Sequence, residues 1–157
     1  RGSVFPLFES LKKNKDFSIT DLNMTRFNIS LIESIKLIIW SLKNNIGGEI
    51  FVPKLPSYKI KNLATAINPN NKIKIIGLRP GEKIHEELIS ELEASNTYDL
   101  GKYYAIFNNP PKKIQKRIKS KKLKKIKFSS YSSGKNSKLL NISELKKIVT
   151  DYKKNNM

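Results

Sequence analysis

The sequence predicts an α/β fold, and three observations carry that expectation. β-branched runs such as Glu49-Ile50-Phe51-Val52 and Lys72-Ile73-Lys74-Ile75-Ile76 alternate with stretches whose apolar residues recur at helical spacing. Ser30-Leu31-Ile32-Glu33 and Asn141-Ile142-Ser143-Glu144 both read as capping boxes, in which the first side chain accepts from the third helical amide and the glutamate reaches back. The connections are short and carry Gly, Pro and Asn, the residues that turns demand. Strands and helices in such alternation argue for helices layered on parallel strands. A chain of 157 residues is the size of one domain and can bury a sizeable core.

In order, Val4-Phe5-Pro6-Leu7-Phe8 with Leu11 reads as a short helix entered through a proline, whose missing N–H is no loss in a first turn. Phe17-Ser18-Ile19 reads as a short strand, and the polar, turn-like stretch after it reaches an isolated arginine, Arg26. The helix capped by Ser30 is the clearest in the chain. Ile35, Leu37, Ile38, Ile39, Trp40 and Leu42 make it apolar around much of its circumference, so burial between layers is expected, and Gly47-Gly48 ends it. Glu49 to Val52 is a strand closed by Pro53, and Ser57 is placed to cap a helix with Ile60, Leu63, Ala64 and Ile67 on its apolar face.

The strand at 72–76 then leads into Leu78-Arg79-Pro80-Gly81-Glu82-Lys83-Ile84-His85-Glu86-Glu87-Leu88-Ile89. Pro80 keeps Arg79 out of the helical region, and Pro-Gly suits the two centre positions of a type II turn. Ile84, Leu88, Ile89 and Leu92 fall on one helical stripe, with Lys83 and Glu87 paired on the wet side. Such a helix sets Arg79 at a strand end beside a helix N-terminus, where a planar guanidinium and free amides suit a phosphate. The competing reading is a surface arginine paired with a nearby carboxylate. Tyr103 to Phe107 is a further strand, residues 108–127 read as a basic, mobile, solvated excursion, and the second capping box, with Leu140 and Leu145 as a hydrophobic staple, opens a terminal helix.

Composition narrows the function classes. The formal charge is +18, but it is uneven: residues 1–101 hold 14 Lys and Arg against 11 Asp and Glu, whereas residues 102–138 hold 13 against none. Lysine outnumbers arginine 27 to 4, as an AT-rich genome would produce, which makes part of the basicity mutational drift. With no cysteine and one histidine, His85, a disulfide framework and a zinc site are both disfavoured, and a reducing, cytoplasmic setting fits. No apolar run reaches the roughly 20 residues of a membrane span. The opening Arg1-Gly2-Ser3, without an initiator methionine, leads to the expectation that the true beginning lies upstream.

No glycine-rich dinucleotide loop, Walker loop or catalytic triad is present, so no catalytic residue and no metal ligand is assigned. Tyr-x-x-x-Lys occurs as Tyr98/Lys102 and Tyr131/Lys135, but Gly101 and Ser132-Ser133-Gly134 disfavour the helix that such a pair needs, and both read as accidents. His85 reads as a surface residue, and Glu82, Glu86 and Glu87 as a solvated face.

Four segments nevertheless stand together in order: Arg1-Gly2-Ser3-Val4-Phe5-Pro6, Thr20-Asp21 with Met24-Thr25-Arg26-Phe27, Gly48-Glu49-Ile50-Phe51-Val52-Pro53-Lys54, and Leu78 through Glu87. In these the chain resembles the C-terminal half of inverting UDP-N-acetylglucosamine 4,6-dehydratases, the polysaccharide-biosynthesis branch of the extended short-chain dehydrogenase/reductases. Phe128 through Leu145 also resembles the closing segment of that family. Asn28 departs from the family, which usually carries tryptophan there, and residues 108–127 are richer in lysine.

The resemblance implies the substrate-binding part of such an enzyme, lacking most of the Rossmann domain. Residues 1–107 would be the nucleotide-sugar-binding core segment, 108–127 the basic excursion and 128–157 the closing segment. The family reaction, a lyase reaction, oxidises the sugar at C4 with NADP, eliminates water across C5 and C6, and returns the hydride to C6 with inversion at C5. NADP and the catalytic Tyr/Lys pair would belong to the missing N-terminal Rossmann half, so this chain alone is expected to bind no cofactor and to be inactive. By similarity, Arg26 and Arg79 would neutralise the diphosphate of UDP-N-acetylglucosamine, while backbone near Val4 and Pro6 and the Pro53-Lys54 corner would face the nucleotide. The intact enzyme would be a homo-oligomer. A small basic nucleic-acid-binding protein is the alternative; it is opposed by the few arginines and by aromatics that are not interleaved with the basic run, so no specific nucleic-acid partner is expected. A non-catalytic remnant with a scaffolding role is a third reading.

Overall fold

The computed structural model describes residues 4–11, 16–120 and 122–155; residues 1–3 of the opening motif lie outside them. The elements in chain order are α1 (Val4–Leu11), β1 (Phe17–Ile19), β2 (Thr25–Phe27), α2 (Leu31–Asn44), β3 (Glu49–Pro53), β4 (Ser57–Lys59), α3 (Ile60–Ile67), β5 (Ile73–Ile75), β6 (Glu87–Ile89), α4 (Glu91–Ala94), β7 (Thr97–Asp99), β8 (Tyr103–Phe107), α5 (Lys112–Lys119), β9 (Lys124–Lys125), β10 (Tyr131–Ser132) and α6 (Ile142–Asn155). The chain divides into two compact units, one of residues 1–27, 56–86 and 136–157 and one of residues 28–55 and 87–135. No helix among the described residues is long and apolar enough to cross a membrane.

In the first unit β1 pairs with β5 in parallel, Phe17 opposite Ile73, and β2 pairs with β4 antiparallel, Arg26 opposite Tyr58. Helices α1, α3 and α6 supply the rest of its core. Phe8 stacks on Phe17 with ring centroids 4.8 Å apart, and Leu63 and Leu145 are fully buried. Each such side chain contributes about 1.5–3 kcal/mol through apolar burial. Helix α6 starts where the sequence signals it, since Asn141 Oδ1 accepts from the Glu144 amide and the Glu144 carboxylate accepts from the Asn141 amide.

Ser57 is not the expected helix cap. It opens β4, where its amide donates to Lys138 and its carbonyl accepts from Leu140, and α3 begins at Ile60 without a side-chain cap. Strand pairing on both sides of Ser57 claims the backbone that a cap would have needed.

The second unit is built on an antiparallel sheet in the order β3-β8-β7-β9, with Glu49 opposite Phe107 and Pro53 opposite Tyr103. Gly101, at φ +86°, lets the chain reverse tightly between β7 and β8, and a tight hairpin enforces antiparallel pairing. Among the described pairings between strands, only β1 with β5 meets the parallel expectation.

Helix α2 carries the full capping box of Ser30 and Glu33 and rests on this sheet through Trp40, 5.0 Å from the Phe51 ring and 4.6 Å from that of Tyr103. Its expected burial is not observed. Leu31 is 77% and Leu42 72% exposed, and Ile32, Ile35, Ile38 and Ile39 are exposed with them. An apolar stripe wider than one sheet can cover is left open because the described residues supply no second layer. Residues 112–119, read as part of a solvated excursion, form α5, whose Ile114 is buried with Ala105, Phe107 and Leu123 while Lys112, Lys113, Lys116 and Lys119 face water.

Candidate functional site

The segment from Ile76 to Glu86 departs from the expected helix, and the departure defines the site. After β5 the Ile76 amide still donates to Ile19, then Gly77 turns at φ +79°. Pro80-Gly81 forms the expected turn: Gly81 has φ +79° and the Glu82 amide donates to the Arg79 carbonyl at 3.0 Å. No helix follows. Residues 82–86 are irregular, β6 begins at Glu87, and the next helix, α4, starts at its own capping box of Ser90 and Glu93. Arg79 therefore does not stand beside a helix N-terminus, and the anion-binding argument built on that geometry falls away.

Tertiary bonds to the stretch Thr20–Phe27 explain why the helix is absent. The Thr25 amide donates to the Ile84 carbonyl at 3.0 Å, and Arg26 Nη1 donates to the same oxygen at 3.1 Å, so an acceptor that a helix would use internally is taken. Side chains repeat the pattern. Thr20 Oγ1 donates to Glu82 Oε1 at 3.1 Å, Thr25 Oγ1 and His85 Nδ1 share a hydrogen bond of 2.8 Å, and the Phe27 amide donates to Glu86 Oε2 at 3.0 Å. The two segments that carried the resemblance, about sixty residues apart, are laced together bond by bond. Sequence reading missed this role for Thr20, Thr25, Glu82, His85 and Glu86. The available signal was polar residues of complementary type in two ordered motifs.

Arg26 lies within this lacing. Its Nη1 also donates to the Thr25 carbonyl at 2.7 Å, and its Nε stands 3.4 Å from Glu86 Oε1, while Nη2 has no partner among the described residues. Opposite it on β4, Tyr58 is buried; burial, and then the Glu86 charge, push its phenol up to about 12 against the opposing pull of Arg26. Arg79 differs. Its side chain is exposed and has no partner among the described residues, while its amide is held by Glu82 Oε2 at 3.3 Å. One guanidinium is thus committed to the scaffold through two of its nitrogens, and the other projects from a pinned turn.

Val4 and Pro6 occupy the first turn of α1 and are half-buried, with Phe5 between them meeting the Tyr58 ring edge-on at 6.2 Å. That contact ties the start of α1 to the strand opposite Arg26. Lys54 belongs to the second unit, where its Nζ donates to both oxygens of Asp99 at 2.7 and 2.8 Å and lies 4.6 Å from the centre of the Tyr104 ring. Although burial opposes it, hydrogen bonds from Lys54 and the Gly101 amide, with the Lys54 and Lys124 charges, hold the Asp99 carboxyl below its ordinary range.

Neither Tyr-x-x-x-Lys pair lies on a helix. Tyr98 sits on β7, and the Tyr131 hydroxyl accepts from the Leu55 amide and donates to the Leu55 carbonyl. Among the described residues no three His, Asp or Glu gather to hold a metal. None of the glycines at positive φ opens a helix, so the described residues do not fit a dinucleotide.

A family described as polysaccharide biosynthesis protein matches residues 1–108. The UDP-N-acetylglucosamine 4,6-dehydratase (inverting) of Campylobacter jejuni is 50% identical over 108 residues, covering 68% of this chain and 32% of the relative. The UDP-glucose 4-epimerase of Rickettsia bellii is 39% identical over 154 residues, covering 95% of this chain and 45% of the relative. The crystal structure of Pen from Bacillus thuringiensis superimposes with a TM-score of 0.78 at 31% identity, over 98% of this chain and 46% of that one. The chain spans less than half the length of each of these proteins.

Proposed function

Because the chain belongs to the polysaccharide biosynthesis protein family, we propose that it is the UDP-sugar-binding portion of a nucleotide-sugar 4,6-dehydratase acting on UDP-N-acetylglucosamine. The observation that carries the reading is Arg79, an exposed guanidinium without a partner among the described residues, on a turn fixed by Glu82. A rigidly presented planar fork is suited to bidentate capture of a phosphate. Arg26, with only Nη2 left over, would add charge and the two N–H donors of one nitrogen. The first turn of α1 near Val4 and Pro6 would face the nucleotide, and the Pro53-Lys54 corner would approach it from the second unit. Residues 1–107 form the nucleotide-sugar segment in this reading, 108–127 its basic excursion and 128–157 its closing segment.

NADP, which supplies the hydride chemistry of such enzymes, would be held by a Rossmann half outside this sequence, and no step is assigned to it here. That half is also the partner we assign to the open face of α2, in an intact homo-oligomer working in the cytoplasm. A second reading, part of a UDP-glucose 4-epimerase, is favoured by the match to the Rickettsia bellii enzyme over 95% of this chain. Both readings need the same diphosphate contact and differ in chemistry. Mass analysis of the product formed by the intact enzyme from UDP-N-acetylglucosamine separates them: loss of one water supports the dehydratase, and an unchanged mass with inverted C4 supports the epimerase.

A further inference from the structure

We propose that the basic surface carried by α5 and β9 docks the protein on an anionic lipid bilayer. Residues 102–138 hold 13 basic residues and no carboxylate. At the rate of residues 1–101, 11 carboxylates in 101 positions, those 37 positions would hold about four. A codon bias that raises lysine throughout does not empty one stretch of acid. The fold also gathers these lysines. Lys112, Lys113, Lys116 and Lys119 of α5 and both residues of β9, Lys124 and Lys125, are exposed, and none has an ion-pair partner among the described residues. The carboxylate opposite Lys124 in the ladder, Asp99, is already bonded to Lys54 and to the Gly101 amide.

The chemistry of the surface selects among anionic partners. Nucleic acid is gripped through arginine forks and aromatic stacking, but residues 102–138 hold 12 lysines to one arginine, with no aromatic residue between Phe107 and Phe128. A protein interface needs an apolar centre. Here Ile114 and Leu123 are buried and Ile118 and Ile126 half-buried, so the patch offers no exposed apolar anchor. A second copy, in a two-fold contact, would meet it with the same sign of charge. Anionic headgroups ask for neither fork nor anchor: flexible ammonium groups over a broad area suffice, each adding about fivefold to partition. Lysine on an edge strand also blocks further strand pairing, which fits β9 at the end of its sheet. That role does not account for α5, a helix that carries four of the six exposed lysines.

The test is co-sedimentation of the purified chain with lipid vesicles, repeated on the intact enzyme containing this stretch. Neutral phosphatidylcholine vesicles set the baseline, including any adhesion through the open face of α2. Vesicles with about one third phosphatidylglycerol are expected to raise partition by roughly a hundredfold or more at about 50 mM salt, and about 500 mM salt to abolish the gain. Lys112→Gln, Lys116→Gln and Lys124→Gln together should remove most of that gain, about fivefold per lysine. Lys61→Gln, Lys146→Gln and Lys147→Gln, which take the same charge from exposed positions on α3 and α6, should leave it within about twofold. Equal loss in the two triple variants would overturn the proposal, because net charge and not this surface would then govern binding. Equal binding to neutral and anionic vesicles, or binding by the chain but not by the intact enzyme, would also overturn it. So would tighter binding to a DNA duplex than to vesicles at the same phosphate concentration, which would identify a nucleic-acid partner instead.

Discussion

Arg26 and Glu86 form an ion pair, Nε to Oε1 at 3.4 Å, that joins β2 to the segment leading into β6 across sixty residues of sequence. The two partners are unequally placed, with the Arg26 side chain 21% exposed and that of Glu86 47% exposed. Coulomb attraction at so open a carboxylate is worth about 0–1 kcal/mol. Arg26 also donates to two main-chain carbonyls, at 2.7 and 3.1 Å, and both bonds are lost when it is removed, the Ile84 carbonyl keeping only its bond from the Thr25 amide. Arg26→Ala is therefore expected to destabilise the chain by about 1–3 kcal/mol, clearly more than Glu86→Gln. Urea unfolding of both variants checks the order; equal losses would mean that the carboxylate and not the carbonyls accounts for the contribution of Arg26.

Tyr58 makes the first unit sensitive to alkali. Its phenol is raised from 10.0 to about 12, chiefly by burial, so the folded state resists losing a proton that the unfolded chain gives up near pH 10. The stabilisation is fully present below pH 10 and is lost as pH rises through the folded value. Between pH 9 and 12 this amounts to about 2–3 kcal/mol. Tyr58→Phe should flatten the fall in urea stability over that window. The same slope in parent and variant would assign the alkaline loss to other groups.

The open face of α2 should make the chain adhesive. Leu31, Ile32, Ile35, Ile38, Ile39 and Leu42 are all exposed on one helix. Contiguous apolar surface of that kind binds apolar dyes and promotes self-association. Replacing Ile35 and Leu42 by Glu should lower dye fluorescence and shift the chain toward monomer in sedimentation. Unaltered association would show that another surface is responsible.

Binding of anions by the basic segment should be electrostatic only. Its apolar positions Ile114 and Leu123 are buried, which leaves lysines such as Lys112, Lys116 and Lys124 to meet solvent. Duplex DNA should bind weakly and without sequence preference, its affinity falling with salt at a log–log slope of about 0.9 per neutralised phosphate. Sequence-selective binding that survives high salt would restore the nucleic-acid reading.

How much of this was legible in the sequence follows from the range of the forces involved. The Ser30 and Asn141 caps, the turn at Pro80-Gly81 and the terminal helix are set by neighbours within four residues, and the structure has them where the pattern put them. The stretch after Gly81 was misread because its helical stripe is real as a pattern but weaker than five hydrogen bonds and one ion pair to a segment far away in sequence. Ser57 failed for the same reason, since Lys138 and Leu140 bind it from the other end of the chain. The arginines were found by type and motif. What no local pattern carried was the division between them, one locked to Glu86 and one left projecting.

The central claim is that Arg79 grips the diphosphate of a UDP-sugar. Titration of UDP-N-acetylglucosamine and of NADP against the intact enzyme containing this stretch, with its Arg79→Lys variant alongside, tests it most directly. Lysine keeps the charge and loses the planar fork. The account predicts UDP-sugar affinity weakened by roughly tenfold or more, the worth of one charge-assisted hydrogen bond of about 1.5–3 kcal/mol, with NADP affinity little changed. Parental UDP-sugar affinity in the variant would contradict it and return Arg79 to the surface.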